Sequence, residues 1–241
     1  GALYGRGQEG EATVMTIEIP VAQGVELYIF EGDSICGTVA AYNRFSGGGC
    51  RPALWGLGIF YRCYAKLGQE QVLAMAEYFR NNGLPCDVLG LEPGWQSASY
   101  PCSFVWDKGR FPAPEKMLEQ LKTLGFHVNL WEHAFVSGSS PLYQPIGRHC
   151  GDYEVWKGLV PDFAEREARN LFAEYHRTAL VEKGVDGFKL DECDGSDFTG
   201  GWSFPDCSAF PSGVDGEQMH SLFGVLYQKT MLQALGNRRT F

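Results

Sequence analysis

The sequence has little that would suit a nucleic acid or a membrane. Its 241 residues carry 20 Lys and Arg against 29 Asp and Glu, a net charge of −9, with no basic run. A phosphate backbone needs a basic footprint, so nucleic acid is not an expected partner. No apolar stretch approaches the roughly 20 residues of a membrane-spanning helix, so no membrane partner is expected either. The eight cysteines (36, 50, 63, 86, 102, 150, 193 and 207) include no Cys-x-x-Cys pair, which leaves a zinc site without support. No Walker loop is present, and beyond residue 50, where strands and helices alternate, there is no Gly-x-Gly-x-x-Gly, which removes the usual signs of a nucleotide-binding sheet from that region. There is no Asn-x-Ser/Thr sequon, and from Gly1 onward no charged segment leads into an apolar run as in a secretory leader. Several cysteines sit in apolar, strand-like runs, which suggests buried free thiols. These features together predict a reducing, cytoplasmic setting.

What is present is a core. Hydrophobic residues make up 44%, charged residues 20% and aromatics 14%, with six Trp. Those values exclude wholesale disorder, and the length fits one large domain or two small ones. Thr13 to Ile19 and Val25 to Phe30 are β-branched and aromatic runs and read as two strands. The glycine-rich segment from Phe45 to Cys50 is punctuation, so a boundary is expected near residue 50.

Beyond it, strands and helices alternate. Strands are predicted over Trp55–Tyr61, Asp87–Leu91, Phe126–Trp131 and Val185–Leu190. Helices are predicted over Gln69–Asn82, Pro114–Leu124, Asp162–Lys183 and Gly216–Leu235, each followed closely by glycine. Asp162 and Glu165 have the spacing of a capping box. In the last helix Met219, Leu222, Phe223, Leu226, Tyr227 and Met231 are placed inward. Such alternation means parallel strands under a helical layer, which a doubly wound sheet and a TIM barrel both satisfy. Three strands run from a helix-closing glycine to a carboxylate: Gly83 to Glu92, Gly125 to Glu132 and Gly184 to Asp191. Acids at successive strand ends are the pattern of a barrel active site. Only four strand–helix units are present, so the expected fold is a (β/α)8 TIM barrel truncated after about four units.

The cluster Phe188-Lys-Leu-Asp-Glu-Cys-Asp194 places Lys189 and Asp191 on one face of a strand. A lysine beside a carboxylate keeps it ionised, as a nucleophile requires, although the same pair would also serve as a salt bridge closing a strand end. Elsewhere a Trp stands near an acid: Glu92 with Trp95, Trp106 with Asp107, and Trp131 with Glu132. A Trp face packs on the C–H surface of a sugar while a neighbouring carboxylate accepts from its hydroxyls. A single Trp has core packing as its ordinary reading; three such pairs point to a sugar site.

These segments, in order, resemble glycoside hydrolase family 31, the α-glucosidase and α-xylosidase family. Ala53-Leu-Trp-Gly-Leu-Gly-Ile-Phe60 is similar to its first barrel strand, and Trp106-Asp107 with Arg110-Phe-Pro112 and Pro114 to its "WD…FP(D)P" segment. Val128-Asn-Leu-Trp131 resembles the next strand, and Gly184-Val-Asp-Gly-Phe-Lys-Leu-Asp191 the nucleophile strand. The resemblance implies that residues 1–50 are the last strands of an N-terminal β-sandwich with its linker, and 51–241 the first half of the catalytic barrel. It implies retaining exo-α-glycosidase chemistry on an oligosaccharide or glycoside, with Asp191 as nucleophile and no metal or organic cofactor. Lys189, Trp106 and Trp131 would line the pocket, joined by Glu92, Trp95 and Asp107. Trp202, in an inserted loop from Gly200 to Gly213, would roof it. The acid/base Asp implied by the resemblance lies downstream of Phe241. The family usually has Asp where this chain has Glu92. Glu92-Pro-Gly-Trp95 also resembles the Asp-x-Gly-Trp strand end of related α-galactosidases. The alternative is a non-catalytic carbohydrate-binding protein on a degenerate barrel. The oligomeric state is left open.

Overall fold

The computed structural model describes residues 3–6, 15–18, 24–193, 201–236 and 238–240. The chain divides into two compact units, Gly1–Pro52 and Ala53–Phe241. In the first, β1 (Leu3–Arg6) pairs antiparallel with β2 (Met15–Glu18), and α1 spans Ile35–Phe45. Thr13, Val14 and Ile19 of the expected strand lie outside the described residues. Val25–Phe30 is not a strand: it is irregular and largely exposed. Helix α1 was not expected; the Ser34 side chain caps it by accepting from the Gly37 N–H at 3.1 Å.

The second unit is built on four parallel strands, β3 (Phe60–Cys63), β4 (Val88–Leu91), β5 (His127–Glu132) and β8 (Gly187–Leu190), in the spatial order β3-β4-β5-β8. All four residues of β4 are buried, as befits a parallel strand covered on both faces. The crossovers run through α2 (Gln69–Asn81), α3 (Pro114–Thr123) and α5 (Arg166–Ala179), and α6 (Gly216–Leu235) follows β8. This is a partial (β/α) barrel, four strands of the expected eight. Gly184 takes φ 115°, a backbone that only glycine enters at no cost, and turns the chain from the α5 end into β8.

Several boundaries differ from expectation. Leu54–Leu57 forms a 3₁₀ turn, and the first barrel strand starts at Phe60 rather than Trp55. The helix expected from Asp162 starts at Arg166, because Asp162 is drawn elsewhere. Its carboxylate accepts from the Ala164 N–H at 3.0 Å and from Ser212 N–H at 2.7 Å, so no capping box forms with Glu165. Between β5 and α5 lies an unpredicted short helix, α4 (Tyr143–Ile146), and a hairpin of β6 (Cys150–Val155) and β7 (Gly158–Pro161). Leu222 of α6 is 40% exposed, whereas Met219, Phe223, Tyr227 and Met231 are buried.

Two apolar clusters flank the sheet. One joins α2 and α3 to β4 and β5 through Val72, Met117, Leu121, Leu89 and Val128. The other joins the hairpin, α5 and α6 through Val160, Phe172, Phe223 and Tyr227. Phe188 of β8 packs against both. The segment that carries Asp191 therefore leaves a strand held from two sides.

Candidate active site

The carboxyl ends of the parallel strands converge on Asp191, the first residue after β8. Its Oδ2 accepts from the Trp131 indole N–H at 2.7 Å and lies 3.1 Å from Lys189 Nζ. Its Oδ1 accepts from the Glu192 N–H at 3.1 Å, and its own backbone N–H donates to the Glu132 carbonyl at 2.8 Å. Partial burial pushes the Asp191 carboxyl up, but the Trp131 bond, Lys189 and the Glu192 N–H outweigh it and hold the group below its ordinary value. Asp191 is thus ionised at neutral pH and half-exposed, 39% at the side chain.

A ladder of charges continues outward. Lys189 Nζ stands 4.0 Å from Glu92 Oε2, and Arg62 grips both oxygens of Glu92, at 2.7 Å through Nε and 2.6 Å through Nη2. That bidentate bond raises the Arg62 guanidinium further above its ordinary value. The apolar run Trp55–Tyr61 stops one residue short of Arg62, so no sequence signal marks it, whereas the strand itself spans Phe60–Cys63. Tyr100 is a second unpredicted neighbour: its hydroxyl donates to Glu192 Oε1 at 3.3 Å and its ring lies 5.4 Å from Trp131. It comes from a loop with no periodicity, so no sequence signal marked it. Glu192 holds φ 54°, a left-handed backbone that costs a non-glycine residue energy and is frequent at functional sites.

The other expected site residues part company. Trp95 is 1% exposed; its indole donates to the Trp131 carbonyl at 2.7 Å and its ring packs 5.0 Å from Trp106. Trp106 is 8% exposed, between Trp95 and Phe111. Neither offers a face to a ligand: both are core, and Trp95 supports Trp131 from behind. Asp107 organises the turn before α3, accepting from the Gly109 and Arg110 N–H groups and from the Arg110 guanidinium at 3.1 Å. Burial pushes its carboxyl up, but these bonds pull it below its ordinary value. Trp202 is half-exposed and meets Trp156 edge-on at 5.4 Å; Trp156 in turn touches Tyr100. Among the described residues it connects to Asp191 through that aromatic chain and Trp131. Asp194 and Gly200 lie outside the described residues.

Glu132 does not join the strand-end acids in the site. It is fully buried, where Oε1 accepts from the Tyr227 hydroxyl at 2.7 Å and Oε2 lies 3.2 Å from His176 Nε2. His133, also buried, bonds the Ser99 carbonyl through Nε2 and accepts the Phe135 N–H at Nδ1. Burial lowers it to about 4, so it is neutral at pH 7. Among the described residues no three of His, Cys, Asp and Glu come together as metal ligands, and no helix is long and apolar enough to cross a membrane.

The parallel half-barrel thus carries an ionised carboxylate, a lysine and an indole at its carboxyl-terminal rim, the end at which barrel enzymes build their active sites. Residues 50–241 match the model of the glycosyl hydrolases family 31 TIM-barrel domain, and the chain belongs to that family. It is 26% identical over 184 residues to Alpha-xylosidase XylQ of Lactiplantibacillus pentosus, covering 70% of this chain and 24% of that protein. To an alpha-glucosidase of Saccharolobus solfataricus it is 25% identical over 204 residues, covering 80% and 29%. The chain thus spans about a quarter of the length of these relatives. A Flavobacterium johnsoniae family 31 dextranase complexed with glucose superposes with a TM-score of 0.74 at 20% identity, over 87% of this chain and 28% of that one. A family 31 α-xylosidase from a soil metagenome, complexed with xylose, gives 0.67 at 15% identity, over 80% and 30%.

Proposed function

We propose that this chain carries the nucleophile side of a retaining exo-α-glycosidase acting on terminal α-linked sugars of an oligosaccharide or glycoside. The observation that carries the reading is Asp191, kept ionised by Trp131 and Lys189 at the strand-end rim. In this mechanism Asp191 attacks the anomeric carbon and a β-glycosyl-enzyme forms as the C–O bond to the leaving group breaks. A second carboxylic acid, about 5–5.5 Å away in retaining enzymes, protonates the leaving oxygen and then activates water. The family resemblance puts that acid downstream of Phe241. Lys189 and Glu92 bind sugar hydroxyls, and Trp131 with Tyr100 offers an aromatic wall. Family membership and the xylosidases and glucosidases among the relatives support this reading. The β1–β2 pair supports assigning residues 1–50 to the end of a preceding β-sandwich.

The test uses a fluorinated, slow-turnover α-glycosyl fluoride, whose fluoride leaves without acid assistance. Peptide mass spectrometry of the intact protein should find the sugar on Asp191. Asp191→Asn should abolish labelling, and Lys189→Met should slow it less. Label on Glu92, Glu132 or Asp162 would place the nucleophile on another strand end. A folded protein that takes no label would favour the carbohydrate-binding alternative.

A further inference from the structure

Beneath the candidate site, three polar side chains from three elements meet in the core. Glu132 ends β5, His176 sits on α5 and Tyr227 on α6, and all three side chains are fully buried. His176 Nδ1 lies 2.8 Å from the Phe172 carbonyl, an acceptor, so Nδ1 carries a hydrogen. The Tyr227 hydroxyl donates to Glu132 Oε1 at 2.7 Å. That leaves Glu132 Oε2 and His176 Nε2, which lie 3.2 Å apart but are not aligned as a hydrogen bond, and neither has a hydrogen-bond partner among the described residues. A carboxyl group is tolerated in an apolar core only beside polar partners, here the Tyr227 hydroxyl and the His176 ring.

Its placement links it to the site above. The Glu132 carbonyl accepts the Asp191 backbone N–H, and the preceding residue, Trp131, donates to the Asp191 carboxylate. His176 also touches Phe188 of β8 at 5.9 Å, and its ring stacks on Phe172 at 4.3 Å. Two helices therefore grip the end of β5 through its single buried carboxyl, at the point where β5 holds Asp191 by both main chain and side chain. A hydrophobic residue at 132 would fill the space without fixing where the strand end stands. We infer that Glu132, with His176 and Tyr227, is a positioning residue that sets the Trp131–Asp191 geometry. Its kinetic consequence rests on the glycosidase reading; its geometric consequence does not.

Two readouts keep these apart in the intact protein. The first is the fluorine NMR signal of Trp131 in fluorotryptophan-labelled protein, assigned with Trp131→Phe. The second is the rate of Asp191 glycosylation by an activated glycosyl fluoride. Glu132→Leu should shift the Trp131 signal and lower kcat about tenfold or more with KM changed less than about threefold, as expected for misplaced reacting groups. Glu132→Gln should restore both, since its amide keeps the shape of the carboxyl group, accepts from Tyr227 and presents an N–H toward His176 Nε2. A folded Glu132→Leu protein with the signal and kcat unmoved would overturn the inference, as would a Gln variant as impaired as Leu. Should Glu132→Leu fail to fold, Tyr227→Phe decides. A shifted Trp131 signal with lower kcat supports the inference, and an unmoved signal refutes it. If the unmodified protein shows no glycosylation, the glycosidase reading fails, and the Trp131 signal alone still judges the positioning role.

Discussion

Asp191 shows how a single indole sets the chemistry of a carboxylate. Burial alone would raise its pKa; the Trp131 N–H and the Lys189 ammonium reverse the sign. A carboxyl held lower in the folded state stabilises the fold above its unfolded pKa, and that contribution is lost as pH falls through the folded value. The same ionisation would limit catalysis on the acid side. Trp131→Phe removes the 2.7 Å bond while keeping an aromatic face. The acid limb of kcat/KM should therefore move to higher pH, measured on an activated glycoside. An unmoved limb would mean that Lys189 and the Glu192 N–H suffice to hold Asp191 ionised. Glu92 makes a second prediction. Arg62 clamps its carboxylate, so its reach is fixed rather than adaptable. Glu is one methylene longer than Asp, and a site built to bond a hydroxyl discriminates strongly against a misplaced one. The intact protein should turn over aryl α-galactosides, with an axial C4 hydroxyl, faster than α-glucosides, and Glu92→Asp should shift the ratio toward gluco. Equal or better turnover of glucosides by the unsubstituted protein would refute this.

At the level of elements, regular segments were readable and irregular ones were not. Helices α2, α3 and α6 and strands β4, β5 and β8 follow from apolar periodicity and closing glycines, within one or two residues of the observed ends. The same logic put Lys189 beside Asp191, which the 3.1 Å separation matches. It failed where long-range partners decide. Asp162 has a capping residue's spacing but takes the Ser212 N–H, fifty positions away, and the helix starts later. Trp95 and Trp106 have a sugar platform's composition, yet the strand ends fold them inward, so an aromatic beside an acid does not separate pocket from core. Gly94 is a position where the motif is steric. A Cβ there would overlap the Ala65 carbonyl oxygen and stand 2.5 Å from Arg110 Nη1, which itself donates to that carbonyl at 3.0 Å. Backbone cannot yield as a side-chain tip can. Gly94→Ala should cost about 1–3 kcal/mol by overpacking, read as a lower urea midpoint at unchanged slope. A stability equal to the parent's would show that the β3 and β4 ends separate freely.

On the scale of the whole molecule, the sheet of the second unit is open. Among the described residues β3 pairs only with β4 and β8 only with β5, which leaves one edge of each without a strand. A closed barrel has no such edges, and natural sheets cover or charge the ones they keep. Neither protection is evident along β3, where Arg62 is the one charge in Phe60-Tyr-Arg-Cys63 and is already paired with Glu92. The flanking surface is apolar: Leu54 is 85% exposed, Leu57 67%, Ile59 51% and Tyr64 63%. Contiguous apolar surface beside an unpaired edge favours association. The isolated 241-residue chain should therefore self-associate, with a light-scattering mass that rises with protein concentration from micromolar upward. Adding charge at the edge should oppose it: Ile59→Lys with Leu57→Glu should lower the apparent mass without touching Asp191, Lys189 or Trp131. Association driven by this edge is concentration-dependent and is weakened by those two changes. A parent chain that stays monomeric and unfolds in one cooperative step would show instead that the open edges are closed within the chain itself.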